Sequence, residues 1–93
     1  MAVALANVKT ALGISANAYD EELTALIASA EADLRLSGVL VYEDSDPLIV
    51  TAVTAYCQTN RGTDVEKRRI YKEMYVAQKH NLMLAREYTE AAP

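Results

Sequence analysis

The sequence predicts an all-α protein, a small bundle of about four helices with a central apolar helix and a long C-terminal one. Three observations carry this. Apolar residues recur at helical spacing; Gly13, Gly38, Pro47 and Gly62 stand where helices should stop or start; and no Gly or Pro interrupts residues 63–88. The chain has 93 residues, which makes one domain and too small a core to be generous, so stability is expected to lean on partners. Hydrophobic residues make up 52%, yet Trp and Phe are absent and six Tyr supply all the aromatic rings, which suits close packing of Ala, Leu, Ile and Val.

The N-terminal helices occupy residues 1–38. A short first helix runs from about Val3 to Leu12 and closes on Gly13. The second starts near Asn17, a capping residue with Asp20 three positions on, and runs to about Ser37 before Gly38. Leu23, Leu26, Ile27, Ala30 and Leu34 share one face and are expected to be buried. Glu31 and Arg35 form an i,i+4 pair on the other side, worth roughly 0.2–0.5 kcal/mol. Residues 39–46, "VLVYEDSD", lack helical character and read as a short extended segment or mobile loop.

The central helix spans residues 47–62. Asp46 precedes Pro47, whose missing N–H costs nothing at the first helical position, and Gly62 ends the run. Val50, Ala52, Val53, Tyr56 and Cys57 are spread around most of it, with few charges before Arg61, so this helix is expected to be surrounded by the others. Residues 63–90 form the long last helix. Thr63 and Glu66 have capping-box spacing, and the helix is expected to run unbroken from Asp64 to about Tyr88, on the order of 36 Å. Tyr71, Met74, Tyr75, Gln78, Leu82 and Ala85 make its apolar stripe, with Arg69 and Glu73 paired outside. A domain this small cannot cover all of that stripe, so part of it is expected to meet another chain. The tail "TEAAP" is expected to fray.

Chemistry is sparse. His80 has Val76, Ala77, Met83 and Leu84 as helical neighbours rather than a carboxylate or nucleophile, and reads as a structural or surface residue. Cys57 lies on the most apolar helix and reads as a small buried hydrophobe rather than a nucleophile. A single cysteine excludes an internal disulfide. Of the two acidic groups, Asp20, Glu21 and Glu22 suit a helix start, and Glu43, Asp44 and Asp46 lack the glycine and final glutamate of a calcium loop. No catalytic residue, cofactor or metal is expected, and no enzyme. The opening "MAVALANVKT" has no positive region before its apolar residues, and no run reaches the roughly 18 apolar residues of a membrane span, so the chain reads as unexported and without membrane.

The formal net charge is −4, against broad affinity for nucleic acid. Its distribution is uneven. Residues 1–46 carry two basic and eight acidic side chains, for −6, whereas residues 47–93 carry seven and five, for +2. The basic run Lys67, Arg68, Arg69, Lys72 beside Tyr71 superficially suggests a helix-turn-helix, but its charges spread around the helix, and a solvated or protein-contacting face is the better reading.

The order of parts "VKTALGI", "YDEELTALIASAEADL", "DPLIVTAVTAYCQTNRG" and "NLMLAREY" resembles the small head-tail connector proteins of tailed bacteriophages, also called head-completion adaptor or DNA packaging proteins. The resemblance covers nearly the whole chain. It implies a mostly α-helical virion protein, assembled in the host cytoplasm, that forms a ring of about a dozen copies beneath the portal and part of the DNA channel, with heterologous contacts between neighbours. Implied partners are further copies of the chain, the portal protein and the next tail-side connector or stopper, with DNA only as passing cargo. By resemblance, Leu82, Leu84 and Tyr88 match the C-terminal "L...EY" pattern and would contact portal or ring. The sign difference between halves supplies a pair of unlike patches: Glu21, Glu22, Glu31 or Asp33 of one subunit against Lys67, Arg68 or Lys72 of the next. The competing readings are a small helical DNA-binding regulator and a dimeric helical adaptor.

Overall fold

Several helix ends are written into the chain by a specific backbone device. The computed structural model describes residues 3–40, 46–61 and 63–90. It contains α1 (Leu5–Leu12), α2 (Asp20–Leu36), α3 (Pro47–Arg61), α4 (Val65–Leu84) and a single turn, α5 (Arg86–Thr89). The protein is all-α, as its periodicity predicts. α1 ends in a left-handed Gly13, φ 72°, with Gly13 N–H donating to Thr10 C=O at 3.2 Å and Ile14 N–H to Lys9 C=O at 2.9 Å. That pair of bonds satisfies the carbonyls the helix leaves open. Gly38, φ 93°, ends α2 the same way, with Val39 N–H on Leu34 C=O at 2.8 Å.

The helix starts differ from expectation in two places. α2 begins at Asp20, and Asn17 does not cap it: the Asn17 side chain accepts from Lys9 Nζ at 3.2 Å, and Lys9 also binds Asp20 at 2.8 Å. The ammonium of α1 thus takes the acceptors that a capping arrangement would have used. α4 is capped by Asp64, whose carboxylate accepts from Lys67 N–H at 3.1 Å, while Glu66 turns to Arg69 at 2.9 Å. The capping box at Thr63 and Glu66 is therefore replaced by a single carboxylate cap one residue later. Asp46 starts α3, accepting from Leu48 and Ile49 N–H at 3.0 and 3.3 Å.

α3 packs against α1, α2 and α4. It buries Ile49, Ala52, Val53, Ala55 and Cys57, each at most 3% exposed. Val8 of α1, Leu23, Ala30 and Leu34 of α2, and Leu82 of α4 close around it. Tyr56 meets Tyr75 edge to face, with ring centroids 5.2 Å apart. At about 25 cal/mol per Å² of apolar surface removed from water, each of the larger side chains stabilises by roughly 1.5–3 kcal/mol before entropy is set against it.

The last helix is shorter than expected. It stops at Leu84, and Ala85 leaves helical geometry at φ −90°, ψ 121°. No glycine or proline forces this. Tertiary bonds do: after the break, Tyr88 Oη donates to the Asp46 carboxylate at 3.0 Å, and Leu40 N–H donates to Tyr88 C=O at 2.6 Å. A continuous helix would carry Tyr88 away from both. Within "VLVYEDSD", Val39 is buried and residues 41–45 lie outside the described residues. So do Gly62 and the last three residues of the tail, whereas Thr89 closes α5 and Glu90 pairs with Arg86 at 2.9 Å.

Candidate assembly surface

The ten side chains singled out from the sequence divide into those used inside the subunit and those left outside it. Glu31 belongs to the first group. It is 3% exposed, accepts from Val3 N–H at 3.0 Å and pairs with Arg35 at 3.5 Å. Its expected place on the outer side of α2 is thus corrected: bound by the Val3 N–H, the carboxylate is buried and offers a neighbouring subunit almost no surface.

Asp33 is half committed. Its carboxylate accepts from Tyr75 Oη and from Lys79 Nζ at 3.1 Å, joining α2 to α4, and Lys79 also lies 5.3 Å over the Tyr75 ring. The hydrogen bond from Tyr75 holds the Asp33 carboxyl below its ordinary value against the opposing effect of burial, and Lys79 adds to the lowering. Burial, then the Asp33 carboxylate, pushes the Tyr75 hydroxyl well above its ordinary value. Glu22 pairs with Arg61 at 3.2 Å, and the same guanidinium covers the Tyr19 ring at 4.8 Å. Arg68 donates through Nε to Thr59 C=O at 3.1 Å.

Leu82 is 2% exposed and belongs to the core, which removes it from the set of side chains that can touch another protein without unfolding this one. Tyr88 is partly buried and bound to Asp46. Leu84, by contrast, is 72% exposed. Glu21, Lys67 and Lys72 are exposed, and none forms an ion pair among the described residues.

Val65, Ile70, Met74, Val76, Met83 and Leu84 of α4 are all exposed, Met74 among them despite its place in the expected stripe, and helical spacing spreads them over more than one side. On one side of α4 lies a groove of about 530 Å³ lined by Arg69, Lys72, Glu73, Val76, Ala77 and His80. Arg69 is held between Glu66 and Glu73 at 2.9 and 3.0 Å. A signal was present: Val76 and Met83 are seven residues apart and so share one side, but they lie off the stripe that the tyrosines define.

Cys57 is fully buried, and burial pushes its thiol up to about 11. Among the described residues no group of three or more His, Cys, Asp or Glu is placed to hold a metal ion, and no helix is long and apolar enough to cross a membrane.

These features define a class: a small helical protein whose ionic groups tie its helices together and which leaves much of the apolar surface of its longest helix exposed. A family model for phage connector proteins matches residues 4–89. The chain belongs to the phage connector protein family, which is structural, and membership implies a virion component that meets other head and tail proteins. No curated protein and no solved structure was found to match.

Proposed function

We propose that this protein is a head-tail connector that forms a ring below the portal and contributes to the conduit for DNA. The observation that carries this is the family match across residues 4–89, nearly the whole chain. The exposed side of α4 supports it, because a subunit that leaves Val76, Met83 and Leu84 in water has a partner's surface still to find. The portal above and a further connector or stopper below are the proposed neighbours, met in the host cytoplasm during assembly. Of the charged set, Glu21, Lys67 and Lys72 remain the best candidates for contacts between subunits, and Leu84 for ring or portal. The net charge of −4 suits a conduit, since an acidic lining does not hold DNA in transit.

The test is the mass of the purified protein by light scattering across a concentration series, alone and mixed with its portal. A ring, or a subunit that joins the portal in many copies, is the expected result. A dimer indifferent to concentration and portal would instead indicate the helical adaptor. Duplex binding with a steep salt dependence would indicate the DNA-binding regulator.

A further inference from the structure

α4 and α5 are one helix by sequence and two by structure. Residues 82–89 contain no Gly or Pro, and the residue that leaves helical geometry, at φ −90°, ψ 121°, is Ala85, the strongest helix former among the amino acids. The break separates the last carbonyls of α4 from the first N–H groups of α5, which a continuous helix would pair. Tyr88 holds the two pieces apart. Its hydroxyl donates to the Asp46 carboxylate oxygens at 3.1 and 3.0 Å, its C=O accepts from Leu40 N–H at 2.6 Å, and its ring packs against the core. Asp46 is the anchor, since the same Oδ1 also caps α3 through Leu48 and Ile49 N–H.

We infer that α4 and α5 form a two-state element, and that Tyr88 on Asp46 is the latch that keeps it bent. With the latch open, residues 65–89 run as a single helix. The inference goes beyond the ring reading and stands whether or not the chain forms a ring.

Straightening changes the surface the helix offers. Ile70, Met74, Ala77 and Leu84 are exposed and follow one another at intervals of four, three and seven residues, so they share one side of α4. Tyr88 lies four residues beyond Leu84 and is the next member of that series. A straight helix would carry its ring out of the core and onto the same side, so the bent form withholds the last member of an apolar stripe. Opening the latch puts the ring in water and gives up its bonds, and the isolated subunit therefore stays bent. Covering that side of the helix favours the straight form, because it binds one of two states better than the other.

The Cα and Cβ chemical shifts of Ala85 read its backbone directly, and in the parent they should be those of an extended residue. Tyr88→Ala removes both ring and hydroxyl, whereas Asp46→Ser removes the carboxylate and leaves a side chain able to cap α3. Both variants should move the Ala85 shifts toward helical values, Tyr88→Ala further, and slow hydrogen exchange at the Arg86 and Glu87 amides. Adding Ala85→Gly to Tyr88→Ala should cut that protection about fivefold, the cost of a glycine inside a helix. Should the larger truncation unfold the subunit, Asp46→Ser keeps the test standing. Extended Ala85 shifts in the variants, with residues 86–89 turned to coil, would overturn the inference, because α5 would then be a tail shaped only by its contacts. Extended shifts with α5 intact would overturn it too, since the break would not depend on the latch. So would helical Ala85 shifts in the parent, which would leave no latch to open.

Discussion

α3 and α4 are neighbours of similar length with opposite allegiances. α3 has Ile49, Ala52, Val53, Ala55 and Cys57 in the core, whereas α4, five residues longer, buries only Tyr75 and Leu82 and carries exposed apolar residues at both ends. The difference teaches that burial within the subunit does not follow helix length or even apolar content. α3 is covered by every long helix around it, while α4 has one covered side and one exposed side.

The sharpest way to break the comparison is to truncate the same amount of side chain on each helix. Ile49→Ala should cost about 2–5 kcal/mol, a large part of the roughly 5–15 kcal/mol a domain holds, because Ile49 is fully buried. Val76→Ala should change stability by no more than about 0.5 kcal/mol. Urea denaturation of the two variants reads the difference directly. Equal losses would mean that the outer side of α4 is covered in the isolated subunit.

Between these extremes lies the bridge from α2 to α4. Tyr75→Phe removes the hydroxyl that binds the Asp33 carboxylate and should cost about 1–2 kcal/mol, the lower range for a hydrogen bond to a charged group because Asp33 is partly exposed. The bridge also sets a pH dependence. Asp33 has a folded value below its ordinary 3.8, so the unfolded chain binds the proton more readily. Its stabilising contribution is complete above about pH 4 and is lost as pH falls through the lowered folded value. Acid titration of stability should therefore be shallower in Tyr75→Phe than in the parent. Tyr75 works in the opposite direction: its folded value is raised above 10.0, so its contribution fades as pH rises past that point. Tyrosinate absorbance should show the Tyr75 hydroxyl resisting ionisation until the protein unfolds.

A smaller effect belongs to α5. Tyr88→Phe should cost about 1 kcal/mol through loss of the bond to Asp46, and should speed hydrogen exchange at the Leu40 amide, which Tyr88 C=O accepts. Unchanged exchange at Leu40 would show that the turn after Ala85 holds without its hydroxyl.

What the sequence disclosed follows from how local each cause is. Gly13, Gly38 and Pro47 act through their own backbone, so the ends of α1 and α2 and the start of α3 were legible. The apolar crowding of residues 47–62 gave away the central helix for the same reason. The break at Ala85 was not legible, because it arises from Asp46 and Leu40, about forty residues upstream, pulling on Tyr88. Nor was the burial of Glu31: on the helix it pairs with Arg35 as spacing suggests, but the N–H of Val3 that covers it comes from another part of the chain. Leu82 was read as an outward contact from the pattern of a terminus and proved to be core, since a resemblance locates a segment without saying which side of it faces in.

The smallest expected effect on the subunit is also the one that bears most on its assembly. Arg68 is engaged with Thr59 C=O, so reversing it would disturb the fold as well as any interface. Lys67 and Lys72 are exposed and form no ion pair among the described residues, which makes Lys67→Glu/Lys72→Glu the cleaner reversal. Subunit stability should move by no more than about 0.5 kcal/mol, and the dipole of α4 even favours the change. Self-association should nevertheless weaken, and by more at low salt, where charges about 10 Å or more apart still attract. Adding Glu21→Lys should restore part of it, since the pair would then be reversed rather than broken. Association that ignores both substitutions would mean the unlike charges of the two halves face solvent in the assembly, and that the apolar side chains of α4 alone select the neighbour.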